Sequence, residues 1–118
     1  MLGYLAGNCG VCHNRTTDLA PLGLHWKQGE LATAGADPAE RLLARRTKWQ
    51  VPGVSEGESL LVDPAHPEQS ALVRRMKSRW AASQMPPLGT VVSDREALTV
   101  IERWIPTVQA SRLVERSR

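Results

Sequence analysis

Cys9 and Cys12 stand three positions apart, and His13 follows the second thiol directly. Cysteine sulfur is a nucleophile and a soft metal ligand once deprotonated, and neutral imidazole is a common metal ligand. The spacing admits three chemistries. A redox dithiol would use the cysteines alone, and it calls for a strand ahead of the motif within a βαβ unit, which this sequence does not show. A zinc site would need a second ligand pair, and His25 and His66 lack ligand spacing. Covalent attachment of haem c uses all three residues: the two thiols take the vinyl groups and the imidazole takes the iron.

A six-coordinate iron held this way needs a second axial ligand, and the candidates are Met76, Met85, His25 and His66. Met85 is the strongest. It opens Met85-Pro86-Pro87-Leu88-Gly89, where two prolines forbid helix and stiffen the chain just after a thioether. Met76 falls on an apolar helical stripe and reads as core. The two loop histidines read as solvated. His13 also needs an acceptor for its other ring N–H, and a backbone carbonyl in the turn around Pro21, between Ala20 and Leu22, is the candidate; an ordinary surface turn is the alternative. Trp26, Trp49 and Trp80 are candidates to donate indole N–H groups to haem propionates or to cover the ring, against ordinary core packing. Arg74, Arg75, Lys77 and Arg79 are candidate propionate partners, against a solvated helix face.

The elements that would position these groups follow from periodicity and punctuation. Residues 1–13 read as a short helix, on which Cys9, Cys12 and His13 would share one face. Residues 14–27 read as loop. Asp37-Pro38-Ala39-Glu40 has the marks of a helix start, predicting a short helix from Pro38 to about Arg46. Residues 48–58 return to loop with a turn at Pro52-Gly53. Ser59 to Val62 is a short apolar run. Pro67 starts a predicted helix to about Arg79, with Leu72, Val73 and Met76 on one face. Ser83 to Val92 reads as extended. Ser93 and Glu96 make a capping box for a helix that carries Ala97, Leu98, Ile101, Trp104 and Ile105 in one stripe and that Pro106 should end. Residues 107–118 read as a weakly ordered tail or linker.

Tyr4-Leu5, Asn8-Cys9-Gly10-Val11-Cys12-His13, Pro67-Glu68-Gln69-Ser70-Ala71-Leu72, Arg75-Met76, Met85-Pro86-Pro87-Leu88-Gly89-Thr90 and Trp104-Ile105 together resemble a class I mono-haem c-type cytochrome domain. They are similar to haem c domains appended to larger bacterial redox proteins. The resemblance covers the N-terminal tenth and most of residues 64–105; it omits an insert at about 29–58. It implies an all-α class I cytochrome c fold over residues 1–106, with the N- and C-terminal helices crossing beside one covalent haem c. It further implies His13/Met85 ligation and one-electron transfer between redox partners, an electron carrier rather than an enzyme. Two variants keep the haem: a relay serving a fused or partner dehydrogenase or oxidase, and a ligand-binding sensor if Met85 is displaceable. The departures from the family pattern are the short first helix and the long insert.

Composition sets the remaining bounds. The 118 residues amount to one domain, with 42% hydrophobic residues but only four Trp, one Tyr and no Phe. A large apolar cofactor would supply core volume that aromatics do not. The net charge is +3, enough to favour a redox partner with an acidic docking surface. No basic run interleaved with aromatics points to nucleic acid, and no run of about 18 apolar residues points to a membrane span. Both cysteines lie in the motif, so no structural disulfide is expected. Haem c attachment implies a periplasmic or otherwise extracytoplasmic location. The motif lies so near the chain start that a trimmed domain or processed form of a longer protein is expected.

Overall fold

The structure is a computed structural model, and it describes residues 2–19, 22, 24, 26 and 45–116. The predicted helix start at Pro38, the turn residue Pro21 and the candidate His25 lie outside them. The described residues are helical with no strand. The chain divides into two compact units, Met1–Pro38 and Ala39–Arg118.

In the first unit, helix α1 spans Leu2–Cys9 and fully buries Leu5. It is shorter than the sequence predicts. Cys9 is its last residue, and Cys12 and His13 lie in the turns that follow. Two helical contacts survive past the end: the Gly10 amide donates to the Ala6 carbonyl at 3.1 Å and the His13 amide to the Cys9 carbonyl at 2.8 Å.

The second unit begins in the insert. Arg45 and Arg46, expected at the end of a helix, are instead extended. Arg46 forms an antiparallel bridge with Leu60, the Leu61 amide donates to the Arg45 carbonyl at 2.7 Å and the Thr47 amide to the Ser59 carbonyl at 3.0 Å. The turn at Pro52-Gly53 is present, with Gly53 at a φ of 85° that favours glycine and the Val54 amide on the Val51 carbonyl at 3.1 Å. Val51 is buried and its amide donates to the Ser59 hydroxyl at 2.9 Å.

The helix predicted from Pro67 is broken in two. A 3-10 turn spans Pro67–Gln69, and helix α2 spans Ala71–Lys77. Ser70 stands between them in extended backbone, fully buried, and its hydroxyl accepts the Asp63 amide at 2.8 Å. The apolar run explains the break. The first amides of α2, which no helix can satisfy internally, are taken by the run's carbonyls: Ala71 by Leu60 at 3.0 Å and Leu72 by Leu61 at 3.1 Å. A continuous helix would forfeit both bonds.

Helix α3 spans Arg95–Arg116. Asp94, rather than the expected Ser93, caps it: its carboxylate accepts the Ala97 amide at 3.0 Å. Ala97, Leu98, Ile101 and Ile105 are buried as the stripe predicts. Pro106 does not end the helix, which runs on through what was expected to be a tail. Val108, buried as well, continues the stripe from Ile101 and Ile105, so the next turn has apolar surface to bury. That burial outweighs the amide that proline lacks. The 3-10 turn, α2 and α3 pack on one another, and Lys77 of α2 reaches Glu102 of α3 at 2.6 Å. No helix among the described residues is long and apolar enough to cross a membrane.

Candidate functional site

The thiol and imidazole groups sit in a turn that closes on Cys9. Its carbonyl accepts both the His13 amide at 2.8 Å and the Cys12 amide at 3.2 Å. Neither cysteine is in a disulfide; Cys9 is half-buried and Cys12 exposed. The side chain that fixes this turn is Asn14, a residue the sequence reading passed over. It is buried. Its Nδ2 donates to the Gly10 carbonyl at 2.8 Å and the Val11 carbonyl at 3.2 Å. Its Oδ1 accepts the Thr16 amide at 2.9 Å and the Thr16 hydroxyl at 2.8 Å. An asparagine just past a helix, ready to bond its own backbone, is the signal that marks it. The Thr17 hydroxyl donates to the Cys12 carbonyl. Trp26 is 5% exposed, and its amide donates to the His13 carbonyl at 2.8 Å, so the motif is bound through its backbone at both ends.

Burial, and next the neighbouring Cys12, pushes the Cys9 thiol from 9.0 up to about 11. A dithiol oxidoreductase needs the opposite, an attacking thiol held below its usual value.

Met85 belongs to the second unit. It follows the turn Trp80–Ser83, in which the Trp80 carbonyl accepts the Ser83 amide at 2.9 Å and the Gln84 amide at 2.8 Å. The segment 83–92 is a chain of bends rather than the extended run expected, and the Met85–Pro86 peptide is cis. The Met85 amide donates to the Arg75 carbonyl at 2.9 Å. The prolines leave this loop short of backbone donors, and side chains make up the deficit. The Met85 carbonyl accepts Arg79 Nη2 at 3.3 Å, the Pro86 carbonyl the Thr90 hydroxyl at 3.5 Å, and the Pro87 carbonyl Gln84 Nε2 at 3.0 Å. Met85 itself is half-buried, whereas Met76 is buried as core.

Of the basic residues of α2, Lys77 is exposed, as expected of most of them, whereas Arg74 and Arg75 are half-buried and bonded. Arg74 donates to the Pro52 carbonyl at 3.0 Å. Arg75 Nε donates to the Ser83 carbonyl at 3.1 Å, with its guanidinium 5.3 Å from the centre of the Trp49 ring, and burial lowers its pKa. Trp49 is half-buried there, as a stacking partner. Trp80 is 72% exposed; its backbone serves the turn and its ring does not pack in the core, which corrects the core-packing alternative considered for it. His66 is exposed beside Asp63, at 3.6 Å. Among the described residues no three of His, Cys, Asp and Glu gather into a group able to hold a metal ion. Compared with protein-family models, curated proteins and solved structures, the chain matches none.

Cys9, Cys12 and His13 fit a haem c as a donor set: two unpaired thiols and an imidazole in one turn anchored by Asn14.

Proposed function

We propose that this chain is an electron-transfer domain carrying one haem c, attached through Cys9 and Cys12 and ligated by His13 and Met85. The observation that supports it most is the turn closed on the Cys9 carbonyl, with both thiols unpaired and His13 following at once. A bound haem supplies a reversible one-electron couple, which histidine and methionine ligation shifts toward the reduced state. The chain's own residues hold that group. Cys9 and Cys12 tether it, His13 offers a ring nitrogen, and Met85 offers a thioether from a loop that Arg75, Arg79, Thr90 and Gln84 restrain.

Such a domain passes single electrons between redox proteins in brief encounters over small interfaces. The net charge of +3 steers acidic docking surfaces toward it. Haem c attachment places the domain outside the cytoplasm, as a free carrier or as a relay for a fused or partner dehydrogenase or oxidase. The thiol–disulfide reading is disfavoured by the raised Cys9 thiol.

The test is export of the full chain from a host that attaches haem c. A red protein with one haem per chain, and a colourless protein when Cys9 and Cys12 are both alanine, is the expected pair of results. A colourless unaltered chain from the same host removes the reading.

A further inference from the structure

Arg79 stands two residues beyond the end of α2 and bonds three separated acceptors. Nη2 donates to the Met76 carbonyl at 2.6 Å and to the Met85 carbonyl at 3.3 Å, and Nη1 to the Thr90 hydroxyl at 2.7 Å. Met76 lies in the last turn of α2, where carbonyls lack helical partners. Met85 and Thr90 bracket the Pro86-Pro87-Leu88-Gly89 run. One planar guanidinium thus joins a helix end to both ends of the methionine loop, which a lysine ammonium cannot copy in shape. Leu88 is 84% exposed and Val91 89% exposed, so these loop residues are not held by burial. Its closed shape rests on hydrogen bonds, and Arg79 makes the charged ones.

We infer that Arg79 is the positioning residue for Met85: it keeps the loop closed so that the thioether would be held ready to ligate a haem iron. The inference rests on the haem c reading above and adds to it a cause for ligand retention. Arg79 itself touches no iron. Loss of its bonds frees the Met85 carbonyl and the Thr90 end together. With haem bound, the thioether would then be held less firmly and an external ligand would compete with it more easily. Charge-assisted hydrogen bonds are the stronger class, so the shift should be measurable while the fold persists.

The test uses the haem-loaded full chain and reads carbon monoxide binding to the ferrous protein and the sulfur-to-iron charge-transfer band of the ferric protein. Arg79→Gln should bind carbon monoxide about tenfold faster or more, the scale of one lost charged hydrogen bond, with a weakened band and unchanged haem content. Arg79→Lys should fall between it and the unaltered chain. If Arg79→Gln does not fold, Thr90→Val, which removes one arm of the clamp, should show a smaller change in the same direction. Glu102→Ala, which breaks the Lys77–Glu102 pair from the α3 side, should leave both readouts alone. Unaltered readouts in Arg79→Gln, or in Thr90→Val where that variant stands in for it, would overturn the inference, and so would an equal change in Glu102→Ala. A red unaltered chain without the band, with carbon monoxide binding no different in Met85→Ala, would instead refute Met85 as ligand and take the role of Arg79 with it.

Discussion

The amide of Met85 donates to the carbonyl of Arg75 at 2.9 Å, tying the loop that carries the thioether to the last turn of α2. Because Arg75 also reaches Ser83 and Trp49 through its side chain, the helix end, the turn and the loop form one piece. Met85→Ala leaves these backbone bonds in place and removes only the sulfur. The expected result is a folded red protein that has lost the ferric sulfur-to-iron band and binds carbon monoxide readily when reduced, both read by visible spectroscopy.

Arg75→Ala cuts the side-chain half of the same junction. It strands the Ser83 carbonyl and removes the cation from the Trp49 face, a loss of about 1–3 kcal/mol. Urea unfolding followed by tryptophan fluorescence should show a lower midpoint. A midpoint equal to that of the unaltered chain would mean that the Arg75–Trp49 contact contributes nothing to stability.

Asn14→Ala should loosen the turn that carries the thiols. Two carbonyls and the Thr16 amide lose a buried partner together, at a cost of about 1–3 kcal/mol. Amide hydrogen exchange reads this locally: Thr16 should exchange faster in the variant, while amides of α3 keep their protection.

The helix stripe was readable because burial imposes its period, and the Met85 loop was readable because two prolines exclude helix. The cysteine turn was legible as chemistry but not as shape: α1 stops at Cys9, and the side chain that holds the turn, Asn14, acts through local backbone bonds that leave no periodic mark. The break at Ser70 was hidden for another reason. It depends on carbonyls of Leu60 and Leu61, ten or so positions earlier, and no pattern within Pro67–Lys77 shows them. Pro106 misled because the missing amide is local, whereas the burial of Val108 that carries the helix onward is tertiary. Arg79 looked like one of several surface cations, since its three acceptors meet only once the loop is folded.

The raised Cys9 thiol gives a pH dependence in the haem-free chain. Its folded pKa of about 11 lies above the ordinary 9.0, so above pH 9 the unfolded chain releases this proton first. Stability from this group is therefore full below pH 9 and falls between pH 9 and 11. Alkylation with iodoacetamide should label the exposed Cys12 before Cys9, and the Cys9 rate should still be rising beyond pH 9. Equal labelling of both thiols at neutral pH would contradict the burial that raises Cys9.

Ile101→Ala probes the packing of α3 in the second unit. Ile101 is fully buried, and truncation there should cost about 2–5 kcal/mol, seen as a lowered thermal midpoint by circular dichroism. A change of less than about 1 kcal/mol would mean the site relaxes around the smaller side chain.

Intact mass and visible spectrum of the full chain, exported by a host that attaches haem c, test the central claim most directly. The account predicts a mass increased by one haem, retained on denaturation, with a ferric sulfur-to-iron band. A chain at its unmodified mass, colourless and with both thiols open to alkylation, would contradict it.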